Sequence, residues 1–229
     1  MSQYTKLYVW EREGYSPHSF SITNVLCYQG CFLLNHAVIN KSKTNIHPSG
    51  DCFYISNDPP WFLMLADGIG SGNEARFAAK IATSLAEDFC KNYFSDRNLL
   101  LPSLITRCHQ NLKNSRGAAI GGVLLDEESQ QILFCGVGNI KLTLAGKKSK
   151  SLFCQPGIVG AQALPRVTVK SLPMKDYVIG FLFSDGISPD SVLKAAQKPY
   201  LPLEKLAEDI SLPNQSSDDK TIIVFSINS

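Results

Sequence analysis

Four short acidic stretches hold the residues best suited to chemistry: Ser49-Gly-Asp51, Asp67-Gly-Ile-Gly-Ser-Gly72, Ser184-Asp-Gly186 and Asp218-Asp-Lys-Thr221. Singly, each reads as an ordinary turn, because Asp bonds to nearby backbone and Gly accepts a positive φ. Their surroundings point further. Asp67 follows the apolar run Trp61–Ala66, Asp185 follows Val178–Phe183, and Asp218 stands just before Thr221–Phe225. Carboxylates at the tips of buried strands are rigidly held and can converge at one edge of a sandwich. Gathered together they repel unless cations neutralise them. Without His or Cys neighbours they favour hard ions, Mg²⁺ or Mn²⁺ rather than zinc. Two such ions about 3.5–4 Å apart share a bridging water, lower its pKa and clamp a phosphoryl group for in-line attack. A second local reading takes Gly68-x-Gly70-x-Gly72 as a phosphate cradle at a helix start. It matches neither the dinucleotide spacing nor the phosphate loop with its Gly-Lys-Ser/Thr.

The elements that must position these acids follow from periodicity. Short segments rich in aromatic and β-branched residues at 5–12, 22–28, 31–39 and 51–56 predict strands. The run Trp61–Ala66 predicts a strand buried on both faces. After the glycines the period changes: Ala75, Ala78, Ala79, Ala82, Leu85, Ala86 and Phe89 mark an amphipathic helix. A second helix is expected over 99–114, on Leu101, Leu104, Ile105, Cys108 and Leu112. Strands return at 118–125, 131–137, 141–144, 152–154, 167–172 and 177–183. Short helices at 190–197 and 203–210 precede a last strand, 221–227. This order is not the alternation of a doubly wound sheet. The fold class expected is α+β, an antiparallel two-sheet β-sandwich flanked by helices, as a single domain over residues 1–229.

Composition bounds the function classes. The chain has 229 residues, 44% of them apolar, enough to bury a core without disulfide or metal staples. With 22 basic and 20 acidic residues, the net charge of +2 lacks the basic excess of a nucleic-acid footprint. No run approaches the roughly 20 apolar residues of a membrane span. The start, with Lys6, Glu11, Arg12 and Glu13, lacks the layout of a secretory signal, so a cytoplasmic location is expected. The seven cysteines are scattered, and Cys27 and Cys31 are the one close pair. They are expected to be reduced structural thiols.

Taken in order, Gly50-Asp51, Asp67-Gly-Ile-Gly-Ser-Gly72 with Glu74-Ala75, Gly117-Ala-Ala-Ile-Gly-Gly122, Gly136-Val-Gly-Asn-Ile140, Ser184-Asp-Gly186 and Asp218-Asp-Lys-Thr221 resemble the metal-dependent type 2C serine/threonine protein phosphatases, in their small bacterial SpoIIE/RsbX-like branch. The resemblance runs from about residue 50 to the C-terminus and implies a four-layer αββα sandwich. It implies that Asp67 bridges two Mn²⁺ or Mg²⁺ ions, that Gly68 offers its carbonyl, and that Asp185 and Asp218 complete the shell. Asp51 would sit on the same cluster or beside it, and Asp219 and Asn139 would support it from behind. Asp67 and Asp185 would be the catalytic pair.

The implied activity is hydrolysis of phosphoserine or phosphothreonine on a regulatory protein, a STAS-type anti-anti-sigma or stressosome partner, by a two-metal-bridged water. The alternative is a non-catalytic phosphatase-like sandwich acting as a partner-binding module; the filled acidic positions argue against it. Two departures stand out. Ile69 occupies the position where larger relatives carry a His, and no Arg precedes Asp51 nearer than Arg12. Arg76 is expected to be a solvated helix charge. His36, His47 and His109 are expected to have no part in chemistry.

Overall fold

The computed structural model describes residues 18–23, 34–44, 47–92, 97–161, 163–212 and 218–227, with the backbone alone at 18–23, 92 and 97–99. The described strands form two antiparallel sheets. The first holds β1 (His18–Thr23), β2 (His36–Lys41), β11 (Lys220–Ser226), β10 (Tyr177–Phe183), β7 (Lys141–Gly146) and β8 (Lys150–Phe153), in that spatial order. The second holds β3 (Asp51–Ile55), β4 (Trp61–Gly68), β5 (Ala118–Asp126), β6 (Gln131–Val137) and β9 (Lys170–Pro173). Helices α1 (Asn73–Asn92) and α2 (Arg97–Leu112) cover the second sheet. Helices α3 (Pro189–Ala196) and α4 (Leu203–Ser211) cover the first.

Alternation along each strand assigns the layers. In β4, Phe62, Met64 and Ala66 face the helices while Trp61, Leu63 and Leu65 face the opposite sheet. In β11, Ile222 and Val224 face α3 and α4, and Ile223 and Phe225 face inward. Both faces of these strands are apolar because both are covered, which explains the unbroken apolar run at 61–66. A fully buried Leu or Phe contributes about 1.5–3 kcal/mol, so each of the three interfaces is a core in its own right. The result is the expected αββα sandwich.

Several expected boundaries shift. Of the strand expected at 22–28, only Ile22 and Thr23 are described, as the end of β1, which starts earlier at His18. The strands expected at 5–12 and the start of 31–39 lie outside the described residues. The strand expected at 167–172 begins only at Lys170. Gln155 takes the edge of β6 instead, bridging Val137, with its N–H on Gly136 O at 2.9 Å and its carbonyl accepting Gly138 N–H at 2.8 Å. Val167 and Val169 are thereby kept off the ladder and pack against the helix-side core.

The described cysteines carry free thiols. Burial raises the thiols of Cys90, Cys108 and Cys154 to about 12, which makes them unreactive. Cys27 and Cys31 lie outside the described residues. No described helix is long and apolar enough to cross a membrane.

Candidate active site

Register brings the first two acids together. In the β3–β4 hairpin Asp51 lies directly opposite Asp67, which places their side chains on one face, Cβ atoms about 4.5–5.5 Å apart. That face is the inward one, continuing from Leu63 and Leu65. At its end the apolar filling between the sheets gives way to carboxylates. From the other sheet, β10 ends at Phe183 and leads directly to Ser184 and Asp185, while Asp218 and Asp219 lead into β11.

The carboxylates sense one another. Burial raises Asp67 to about 9, and the charges of Asp51, Asp185 and Asp218 add to the effect. Burial also raises Asp51 to about 6; the hydroxyls of Thr221 and Ser184 oppose it and the charge of Asp219 adds to it. Asp185 is raised too, by burial of its carboxylate and then by Asp218, while Asn139 and Lys141 pull it down. Asp51, Asp67, Asp185 and Asp218 therefore share one sheet end.

Each acid is held differently. Asp51 is 1% exposed. Its Oδ2 accepts the Ser184 hydroxyl at 2.8 Å, and its Oδ1 has no hydrogen-bond partner among the described residues. Among the described residues the Thr221 Oγ1 likewise closes no hydrogen bond. Asp185 Oδ2 accepts from Asn139 Nδ2 at 2.6 Å. Asp218 Oδ1 lies 3.4 Å from Lys43 Nζ. Asp219 is bound by backbone: it accepts Gly50 N–H at 2.6 Å and Lys43 N–H at 2.8 Å. It ties the start of β3 to the start of β11.

The Asp-Gly-Ile-Gly-Ser-Gly loop connects β4 to α1. A Cβ at Gly68 would stand 1.9 Å from the Ala75 carbonyl oxygen, so only glycine lets the first turn of α1 seat there. Gly70 has a φ of +96°, a region closed to most side chains. Ile69 N–H bonds Gly117 O at 3.0 Å and fastens the loop to the start of β5. Beside it, Arg116 pairs with Glu74.

Sequence reasoning misplaced Arg76. Its Nη1 donates to Ser49 O at 3.0 Å, so it pins the turn before Asp51 rather than standing in solvent. His109 is buried and accepts Gly160 N–H on Nδ1 at 3.1 Å, a packing role as expected. Reasoning also missed Asn40, whose Nδ2 donates to Asp51 O at 3.1 Å from the opposite sheet; no signal in the sequence marks it. Ser184 could have been suspected as the hydroxyl beside Asp185.

The donor set fits a hard divalent cation. It is all oxygen, it carries mutually repelling charge, and it includes a buried carboxylate oxygen with no partner. Among the described residues no three acidic, His or Cys side chains form a ready cage as placed. The acids instead line an edge, with Asp185 drawn to Asn139 and Asp218 to Lys43. An ion that keeps several waters suits such an open set.

This arrangement of sheets and helices is the fold of the type 2C serine/threonine phosphatases. A serine/threonine phosphatase of Mycobacterium tuberculosis, PstP/Ppp, superposes with a TM-score of 0.69 at 14% identity, over 86% of this chain and all of that one (100%). In sequence the chain is similar to the phosphoserine phosphatase RsbX of Bacillus subtilis (strain 168), 31% identical over 119 residues. That match spans 52% of this chain and about half of the relative, 55%. A crystal structure of RsbX with magnesium superposes with a TM-score of 0.74, at 22% identity over 91% of this chain and 99% of that one. A chain from a bacterial stressosome study superposes at 0.72, 24% identical, covering 85% and 100%. No family model matches the chain.

Proposed function

We propose that the protein is a divalent-metal-dependent phosphatase that hydrolyses phosphoserine or phosphothreonine on a partner protein. The observation that carries this reading is the convergence of Asp51, Asp67, Asp185 and Asp218 on one sheet end, with a buried Asp51 oxygen left without a partner. Asp51, Asp67, Asp185 and Asp218, with the Gly68 carbonyl, would hold two Mn²⁺ or Mg²⁺ ions. Bound there, such ions supply charge neutralisation and an activated water to a phosphoryl group.

The chain's own residues do the rest. Asp67, fixed by register opposite Asp51, centres the acidic edge. Asn139 orients Asp185 by donating to Oδ2. Asp219, whose two oxygens accept backbone N–H groups, anchors the turn that carries Asp51. Among the described residues neither a His beside Asp67 nor a free Arg borders the acids, so the leaving serine would take its proton from solvent.

The likeness to RsbX and to a stressosome-associated chain supports a STAS-type phosphoprotein as substrate. The test is release of phosphate from a serine-phosphorylated STAS-type protein, with Mn²⁺ and with EDTA, by wild type and Asp185→Asn. Turnover that needs Mn²⁺ and falls at least a hundredfold in the variant is expected, roughly the loss from removing one transition-state contact. Mn²⁺ binding without turnover would point to another substrate. Turnover that survives EDTA would sink the metal reading.

A further inference from the structure

We infer that Ser184 is a positioning residue that sets the orientation of Asp51 for metal binding, an inference that rests on the metal-site reading above. Ser184 is fully buried at the end of β10, on the inward face, and Asp51 stands across the gap on the other sheet. Its Oγ lies 3.0 Å from Thr221 N, 2.8 Å from Asp51 Oδ2 and 3.5 Å from Thr221 O. An amide N–H can only donate, so Ser184 Oγ must accept there. The hydroxyl has one proton, and the shorter contact directs it to Asp51. With Asp51 ionised, the backbone of β11 thus leaves the hydroxyl proton to the carboxylate.

Two consequences follow for Asp51. Its Oδ2 is occupied, which stops the carboxylate from rotating and leaves Oδ1, the oxygen without a partner, for an ion. Through Oδ2 the hydroxyl also couples the carboxylate to the β10–β11 pair, whose adjoining residues Asp185 and Asp218 come from the same two strand ends. One of the two bonds that join the strands here is independent of the side chain: Ser184 N–H bonds Thr221 O at 3.0 Å, while Thr221 N–H uses Ser184 Oγ. Asn40 donates to the Asp51 carbonyl and holds the backbone of that residue; Ser184 holds an oxygen of its carboxylate.

The test is calorimetric titration of Mn²⁺ into the metal-stripped full chain. Wild type is compared with Ser184→Ala, Ser184→Cys, Ser184→Thr and, as the site control, Asp67→Asn. Ser184→Cys keeps the volume but donates weakly; Ser184→Thr keeps the hydroxyl. Loss of a group that orients a metal ligand weakens affinity about ten- to a hundredfold. That loss is expected in Ser184→Cys and Ser184→Ala, with Ser184→Thr near wild type and a thermal melt confirming that each is folded. Wild-type affinity in a folded Ser184→Cys would overturn the inference while leaving the site intact. Failure of wild type itself to bind Mn²⁺, or binding unchanged in Asp67→Asn, would overturn the site reading and the inference with it. Should Ser184→Ala not fold, the Cys and Thr variants decide.

Discussion

Asp67 carries the electrostatic cost of the site. Its carboxyl is raised from the ordinary 3.8 to about 9 in the metal-free fold, by burial first and by three neighbouring acids second. The sign of the consequence is definite. The folded state holds the proton more tightly than the unfolded chain, so this group's effect on stability is nil below its unfolded pKa and grows unfavourable as pH rises towards 9. Metal-stripped Asp67→Asn is therefore expected to match wild type near pH 4 and to exceed it at pH 8, by more than ~1 kcal/mol. Urea denaturation of both proteins at the two pH values checks this; a gap that does not widen with pH would refute it. Asp51 acts in the same direction over a narrower span, to about 6. The acids themselves were legible in the sequence because Asp-Gly after an apolar run is a pattern. Their helpers were not: Asn40, Ser184 and Arg76 work by reaching across the fold, and nothing local in a sequence records what stands across a gap.

At the scale of elements, glycine and register do the positioning. Gly68 lies where the first turn of α1 crosses β4, and a Cβ added there would stand 1.9 Å from the Ala75 carbonyl oxygen. Gly68→Ala must displace backbone rather than a side-chain tip, and a loss of about 3 kcal/mol or more is expected, together with loss of Mn²⁺ binding. A denaturant midpoint within error of wild type would show that α1 can shift freely. Long elements were read well from sequence, since α1 and α2 repeat their period over several turns and β4 to β6 are continuous apolar runs. Short ones were not. The stretch 167–169 has β-branched residues, yet Gln155 occupies the strand edge it would need. Which of two segments wins an edge is settled by the path of the intervening loop. The same limit hid the start of β1, whose pairing with β2 runs from His18↔Lys41 to Thr23↔His36.

Across the whole molecule, the sheets meet at the acidic end through hydrogen bonds as well as packing. Asn40 to the Asp51 carbonyl, Ser184 to its carboxylate and Gly50 N–H to Asp219 all run between β3 or its preceding turn and the β2–β11–β10 side. A cation bound among the acids would add ionic bonds to the same seam, in the folded state alone. Mn²⁺ at a hundredfold excess over its Kd is then expected to stabilise the fold by about 2.7 kcal/mol, raising Tm by roughly 5–11 °C. Differential scanning fluorimetry with Mn²⁺ and with EDTA measures it, and an unchanged Tm would exclude a folded-state ion. Without metal the seam carries uncompensated repulsion at the place where the two layers are stitched. If the proposed site holds, copies made under scarcity of the divalent ion would thus be looser as well as idle, and proteases act on loosened chains first. Metal supply would then set how long each molecule survives, so that abundance and turnover rise and fall together.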